Sequence, residues 1–139
     1  MPAHDWLKSG AALPRGGVRI STIYERGTQT SVRHFRVLSP VLEPLFGSHL
    51  HEGSLNLRAT KKVALPDPQM SILEGRAWCS VPVIIGDSAI GIVARTQDSG
   101  DTDFLEIIGP YSIAERLRLT PGARVDVRLQ SGRDLFQAA

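Results

Sequence analysis

The chain has 139 residues, 42% of them apolar, and its 16 lysines and arginines against 14 acids leave a net charge of +2. That apolar content excludes a disordered chain, and the length suits one domain around one core. The weak charge, with no basic cluster, weighs against a nucleic-acid partner; a single cysteine, Cys79, excludes an internal disulfide; and no run long enough for a membrane span or a signal peptide is found, so a soluble, cytoplasmic protein with no membrane partner is expected.

Residues 1–16, with Pro2, Gly10, Pro14 and Gly16, read as a flexible N-terminal arm, residues 17–131 as the folded domain and 132–139 as a tail. Trp6 is a candidate to dock the arm onto the body. Val18–Tyr24 has strong strand propensity. Glu25-Arg26-Gly27 reads as a tight connection with Gly27 able to take a positive φ, and Thr28–Val37 as a second strand. Ser39-Pro40 predicts the start of a short helix, with Ser39 as cap, Pro44 limiting its length and Gly47 ending it. His49, His51 and Glu52 invite a metal reading, but two histidines at spacing two share a face only on a strand and no third nitrogen follows, so a polar loop is favoured.

From Gly53 a turn feeds a strand in which Leu55 and Leu57 face one way and Ser54, Asn56 and Arg58 the other. Leu65-Pro66-Asp67-Pro68 reads as a loop. Ala77–Ile85 and Ala89–Ala94 form a hairpin about Gly86-Asp87, which makes Cys79 a buried, unreactive thiol. Thr96–Asp103 holds three aspartates without the spacing or closing glutamate of an EF-hand, and reads as a solvated loop. Phe104–Ile108 is an apolar strand broken by Glu106, an acid that is costly there unless paired. Ser112 and Glu115 have the spacing of a capping box, Leu119–Gly122 forms a turn, and Arg124–Leu129 alternates as a half-buried strand. Six or seven strands with two short helices make the expected fold a small, mainly β barrel.

Neither a Gly-x-x-x-x-Gly-Lys-Ser phosphate loop nor a Gly-x-Gly-x-x-Gly turn is present, and no residue can be assigned as catalytic from spacing alone. Two features can carry chemistry. Ser54 and Asn56 offer hard oxygen ligands that help hold Mg²⁺ when phosphates complete its shell. The segment Tyr111, Ser112, Ile113 and Ala114 opens a helix, whose free N–H groups suit an anion or a base edge.

Together these segments resemble the archaeal CTP-dependent riboflavin kinases. That family has a Gly-Thr-Leu-Asn-Leu/Val segment, here Gly53-Ser54-Leu55-Asn56-Leu57, and a Glu-Ile-Ile-Ala-Pro segment, here Glu106-Ile107-Ile108-Gly109-Pro110. A capped helix and a Leu-x-x-Gly-Asp-x-Val strand follow in the family, matched here by Ser112–Leu117 and Leu119–Val125. The resemblance covers about Gly17–Leu129 and implies a six-stranded cradle-loop barrel that transfers the CTP γ-phosphate to riboflavin, giving FMN. It implies Mg²⁺ on Ser54, standing where the family has Thr, and on Asn56. It implies flavin contacts from Ser99 and Glu106, and nucleotide contacts from Tyr111, Ser112, Ile113 and Ala114.

The family's glycine-rich run after its first strand is here Ser21–Thr28, with Gly27 its one glycine. Side chains there keep the backbone from phosphate, and Glu25 adds like charge, so Arg26 is the candidate clamp beside Gly27. The loop Thr96–Asp103 also departs from the family's pattern. The expectation is therefore a riboflavin kinase-like enzyme, or a barrel that binds flavin or nucleotide without transferring phosphate. A DNA-associated barrel is the third reading, and the low charge weighs against it.

Overall fold

A computed structural model describes residues 4–8, 12–27 and 31–136, with 31–33 through their backbone only. The elements in chain order are β1 (Val18–Glu25), α1 (Ser31–Phe46), β2 (Leu55–Val63), β3 (Gln69–Leu73), β4 (Arg76–Ile85), β5 (Ala89–Thr96), β6 (Thr102–Ile108), α2 (Ile113–Arg116) and β7 (Arg124–Leu129). Every strand pairing is antiparallel. The strand order is β3-β4-β5-β6-β2-β1-β7, and an additional β4–β7 pairing closes six of the strands into a barrel with β3 outside it. The mainly β barrel expected from the sequence is the fold that forms.

Closure depends on β4 changing partners along one edge. Its first half pairs with β3, from Leu73↔Arg76 to Gln69↔Ser80. Its second half pairs with β7, from Val83↔Leu129 to Ile85↔Val127. Pro82, which has no N–H to give a ladder, falls between the two pairings, where its missing donor costs least. Gly132 passes through the same corner, and a Cβ there would lie 2.7 Å from Asp67 O, Gln69 N and Ser80 O.

Two apolar cores sit on the two faces of the barrel wall. Inside are Leu55, Leu57, Val81, Val83, Ile85, Val93, Leu105, Ile107, Val127 and Leu129. Outside, α1 lays Leu38, Leu42 and Phe46 over Trp78, Ile84, Ile90, Ile92 and Ala94 of β4 and β5. The two central strands are thus covered on both sides, which is why β4 and β5 read as continuous apolar runs. Trp6 and Leu7, in a short 3₁₀ turn at Asp5–Leu7, join the outer core, and His4 Nε2 lies 2.8 Å from Arg133 O.

The sequence reading needs correction between Ser31 and Phe46. The strand expected over Thr28–Val37 is not formed at 31–37, which belong to α1; residues 28–30 lie outside the described part. The helix does not start at Ser39-Pro40 either, but runs 16 residues through both prolines. Leu38, Leu42 and Phe46 recur every four residues and are buried, a helical period that outweighs the local strand propensity. Pro40 and Pro44, also four apart, share the exposed face, where the carbonyls they leave unpaired reach water. Ser39 is no cap, for its Oγ donates to Glu43 Oε1 at 2.7 Å. Gly47 does end the helix, with φ 67°. Gly27 takes no positive φ, because the chain leaves β1 for α1 and not for a hairpin. The strand Gln69–Leu73 and the 3₁₀ turn Gln97–Ser99 were not foreseen.

Candidate functional site

The alternation of β2 sends Leu55 and Leu57 into the barrel and Asn56 and Arg58 outward. Antiparallel register then builds one row across three strands, Glu25↔Asn56 and Asn56↔Glu106, with Arg58↔Phe104 beside it. Next to this row Ala94 and Thr96 of β5 and Trp78 of β4 share the wall, and His34 reaches in from α1. Between helix and wall lies a cleft of about 700 Å³, lined among others by Arg26, Asn56, Ser99 and Glu106. That volume falls in the usual range for small-molecule sites.

Glu106 is the focus of the cleft. Its side chain is 15% exposed and His34 Nδ1 lies 3.5 Å from its Oε1. Burial pushes its carboxyl above the ordinary carboxylate range, and the imidazole opposes that shift. The His34 ring in turn meets Trp78 edge-on, with ring centroids 5.2 Å apart. The Trp78 indole N–H is buried without an acceptor among the described residues. Asn56, itself buried, accepts from Ser54 Oγ at 3.2 Å. A Cβ on Gly27 would come within 2.6 Å of Asn56 Nδ2, so a side chain there would displace the Asn56 amide.

Arginines surround this centre, and most are already paired. Arg58 lies over the Phe104 ring and bonds to Glu25 at 2.8 Å and Asp103 at 2.9 Å, and these two carboxylates raise its pKa further. Arg95 gives a hydrogen bond to Val63 O and faces Asp101 at 3.5 Å, with burial lowering its pKa. Arg76 faces Asp98 at 3.7 Å. The three aspartates of the 98–103 segment therefore meet three different arginines and form no cluster with one another.

The second group of candidates lies next door. Ser54, Tyr111, Ser112, Ile113 and Ala114 line a hollow of about 70 Å³, room for about two waters. Ser112 Oγ accepts from Glu115 N at 3.3 Å, as the capping spacing predicts. Tyr111 is held by the N–H of Ile90, which donates to its hydroxyl at 3.0 Å, and by Arg116 over its ring at 4.2 Å. The hydrogen-bonded Ser54–Asn56 pair thus joins the two hollows, one residue on each.

Among the sequence candidates, Asn56, Glu106, Ser99 and Arg26 come together in the large cleft, with Ser99 exposed at its rim and bonded to Thr96 Oγ1 at 2.7 Å. His34 was missed, because a strand assignment for its segment gave no reason to place it opposite Glu106. Trp78 lies within the predicted strand Ala77–Ile85, and nothing in that apolar run marks its indole as lining a cleft. Cys79, expected to be buried, is only half-buried, with its Sγ 3.2 Å from Met70 Sδ, and partial burial pushes its thiol up. His49 lies 3.6 Å from Glu43, and among the described residues no group of three His, Cys, Asp or Glu gathers as for a metal. No described helix is long and apolar enough to cross a membrane.

The Ser54 and Asn56 oxygens fit Mg²⁺ in one respect. Their 3.2 Å separation is close to the edge of an octahedron with metal–oxygen distances of about 2.1 Å. Both are neutral, so phosphate oxygens would have to bring the compensating charge. Compared with known proteins, the chain matches no family model and no curated protein.

Proposed function

We propose that the chain is a flavin-binding barrel of the riboflavin kinase type. Riboflavin occupies the large cleft, and a nucleotide held at the α2 side delivers its γ-phosphate to the 5′-hydroxyl across the Ser54–Asn56 pair. The observation that carries this reading is the placement of Glu106. A carboxylate sunk in a strand wall, with its side chain only 15% exposed, is expensive unless function retains it. Here it sits in a ligand-sized cleft between Asn56 and His34, with Trp78 and Phe104 nearby to cover a flat ring.

On this reading Glu106 accepts a hydrogen bond from the flavin and fixes its orientation. Asn56 and Ser54 stand where the phosphates and the ring system meet. Mg²⁺ held by these two oxygens would neutralise phosphate charge during transfer. Arg26, on the exposed connection after β1, is the residue placed to steady phosphate. CTP as donor follows from the resemblance alone.

A second reading has its own observation. The hollow beside α2 holds far less than a nucleotide, and Glu25 and Arg26 replace the bare backbone of a phosphate loop. This favours binding of flavin without phosphoryl transfer. The test is incubation of purified protein with riboflavin, Mg²⁺ and each of CTP, ATP, GTP and UTP, with FMN resolved by chromatography. FMN with any donor supports the kinase; riboflavin binding without FMN supports the second reading; neither binding nor FMN overturns both.

A further inference from the structure

A second hollow, of about 310 Å³, is lined by Arg19 of β1, by Arg124, Asp126 and Arg128 of β7, and by Leu117 and Leu119 after α2. It shares no lining residue with the large cleft. Val125, Val127 and Leu129 of β7 point into the barrel, so the charged residues between them point out. Strand register sets Arg19 directly opposite Arg128, Ser21 opposite Asp126 and Ile23 opposite Arg124. Like charges facing each other across an antiparallel pair destabilise it.

Nothing on the protein neutralises these charges. Among the described residues, none of Arg19, Arg124 and Arg128 has a carboxylate at ion-pairing distance, whereas Arg58, Arg76, Arg95 and Arg133 all do. Asp126 stands in the same row but accepts from Ser21 Oγ at 3.0 Å. Arg128 is also held in place. Its Nη1 donates to two main-chain carbonyls, Pro14 O at 2.9 Å and Gly16 O at 2.8 Å. These neutral acceptors fix the guanidinium without removing its charge. They leave its Nε and Nη2 hydrogens without a partner among the described residues, and that edge of a guanidinium has the spacing to grip two oxygens of one oxyanion.

We propose that this hollow is an anion site for a phosphate dianion, either free inorganic phosphate or the phosphate of a small monoester. Arg19 and Arg128 hold the phosphate between them, so the bound ion turns one repulsion into two attractions. Arg124 adds charge from further along β7. Three arginines against Asp87 and Asp126 leave the lining at a formal +1, the sign an anion needs. The volume is room for about ten waters. It exceeds a bare phosphate, and Leu117 and Leu119 give it an apolar side that the organic part of a monoester can cover. The site does not depend on what the large cleft binds.

The experiment is an amide chemical-shift titration of the isotope-labelled 139-residue protein with sodium phosphate, against sodium chloride at matched ionic strength and without riboflavin. The chloride arm accounts for general screening of surface charge. Wild type is expected to show saturable shifts at Arg19, Arg124, Asp126 and Arg128 with phosphate and no saturable shifts with chloride. Arg19→Gln is expected to bind phosphate about tenfold more weakly. Arg36→Gln, at an exposed position of α1 outside the hollow, is expected to bind as wild type does. Arg128 is left intact because it also holds the chain before β1. In chloride, Arg19→Gln is expected to melt about 1–4 °C higher than wild type, since the like-charge pair is gone. Phosphate is expected to raise the melting temperature of wild type more than that of the variant; an arginine with a merely structural role would lower the melting temperature when replaced, in either salt. Phenyl phosphate separates the two sources: tighter binding than phosphate identifies a monoester, equal or weaker binding identifies the free ion. If phosphate moves these amides no more than chloride does, or if Arg19→Gln binds phosphate as wild type does, the site is overturned.

Discussion

Glu106 sets the chemistry of the cleft and also costs the fold stability. Its carboxyl titrates above the ordinary carboxylate range in the folded protein because burial disfavours the charge. Between the unfolded and folded midpoints the native state holds the proton more tightly than the unfolded chain. Stability from this group is therefore greatest in acid and falls as pH rises through that window. Glu106→Gln removes the dependence, since the amide stays neutral. Urea midpoints should show the variant gaining on wild type from pH 5 to pH 8; parallel curves would contradict the burial argument. The residue was legible in the sequence as an anomaly, one acid in Phe104–Ile108. Its partner was not, because nothing local to His34 points to a residue 72 positions away.

At the scale of elements, what was legible followed local rules. The β4–β5 hairpin, the alternation of β2 and β7, the Gly47 stop of α1 and the Ser112 cap of α2 were all predicted from period and turn chemistry. What was not legible depended on tertiary contact. Ser31–Val37 reads as a strand until Leu38, Leu42 and Phe46 find the outer face of β4 and β5 to bury against. The outer strand β3 exists because β4 has an edge to spare before it turns to β7. Gly132 marks the corner where these strands part. Gly132→Ala would press a methyl group against three backbone atoms of β4 and the segment leading into β3, none of which can rotate away. It should cost about 2–3 kcal/mol in equilibrium urea unfolding. A loss below ~0.5 kcal/mol, within the range of a neutral surface change, would show that the corner yields.

For the whole molecule, the barrel serves as a rigid wall and α1 as the cover that turns one patch of its outer face into a cleft. The six-stranded closure brings Glu25, Asn56 and Glu106, distant in sequence, into a single row through strand register alone. The outer core fixes α1 against β4 and β5, and that packing carries His34 to the far side of the row. Fold and site are therefore one construction: the helix that completes the second core also completes the cleft. The sequence showed the barrel and most of the residues on its wall, and it missed the cover because two prolines and a run of strand-forming residues hide the helix.

The cleft between α1 and the strand row is the proposed place of flavin binding. Amide chemical-shift mapping of isotope-labelled protein titrated with riboflavin tests this most directly. Saturable shifts are expected to concentrate at His34, Asn56, Trp78, Phe104 and Glu106, with little change at Arg19, Arg124 and Arg128, which line a separate hollow. Saturable shifts confined to that separate hollow, or no saturable shifts at all, would contradict flavin binding in the cleft.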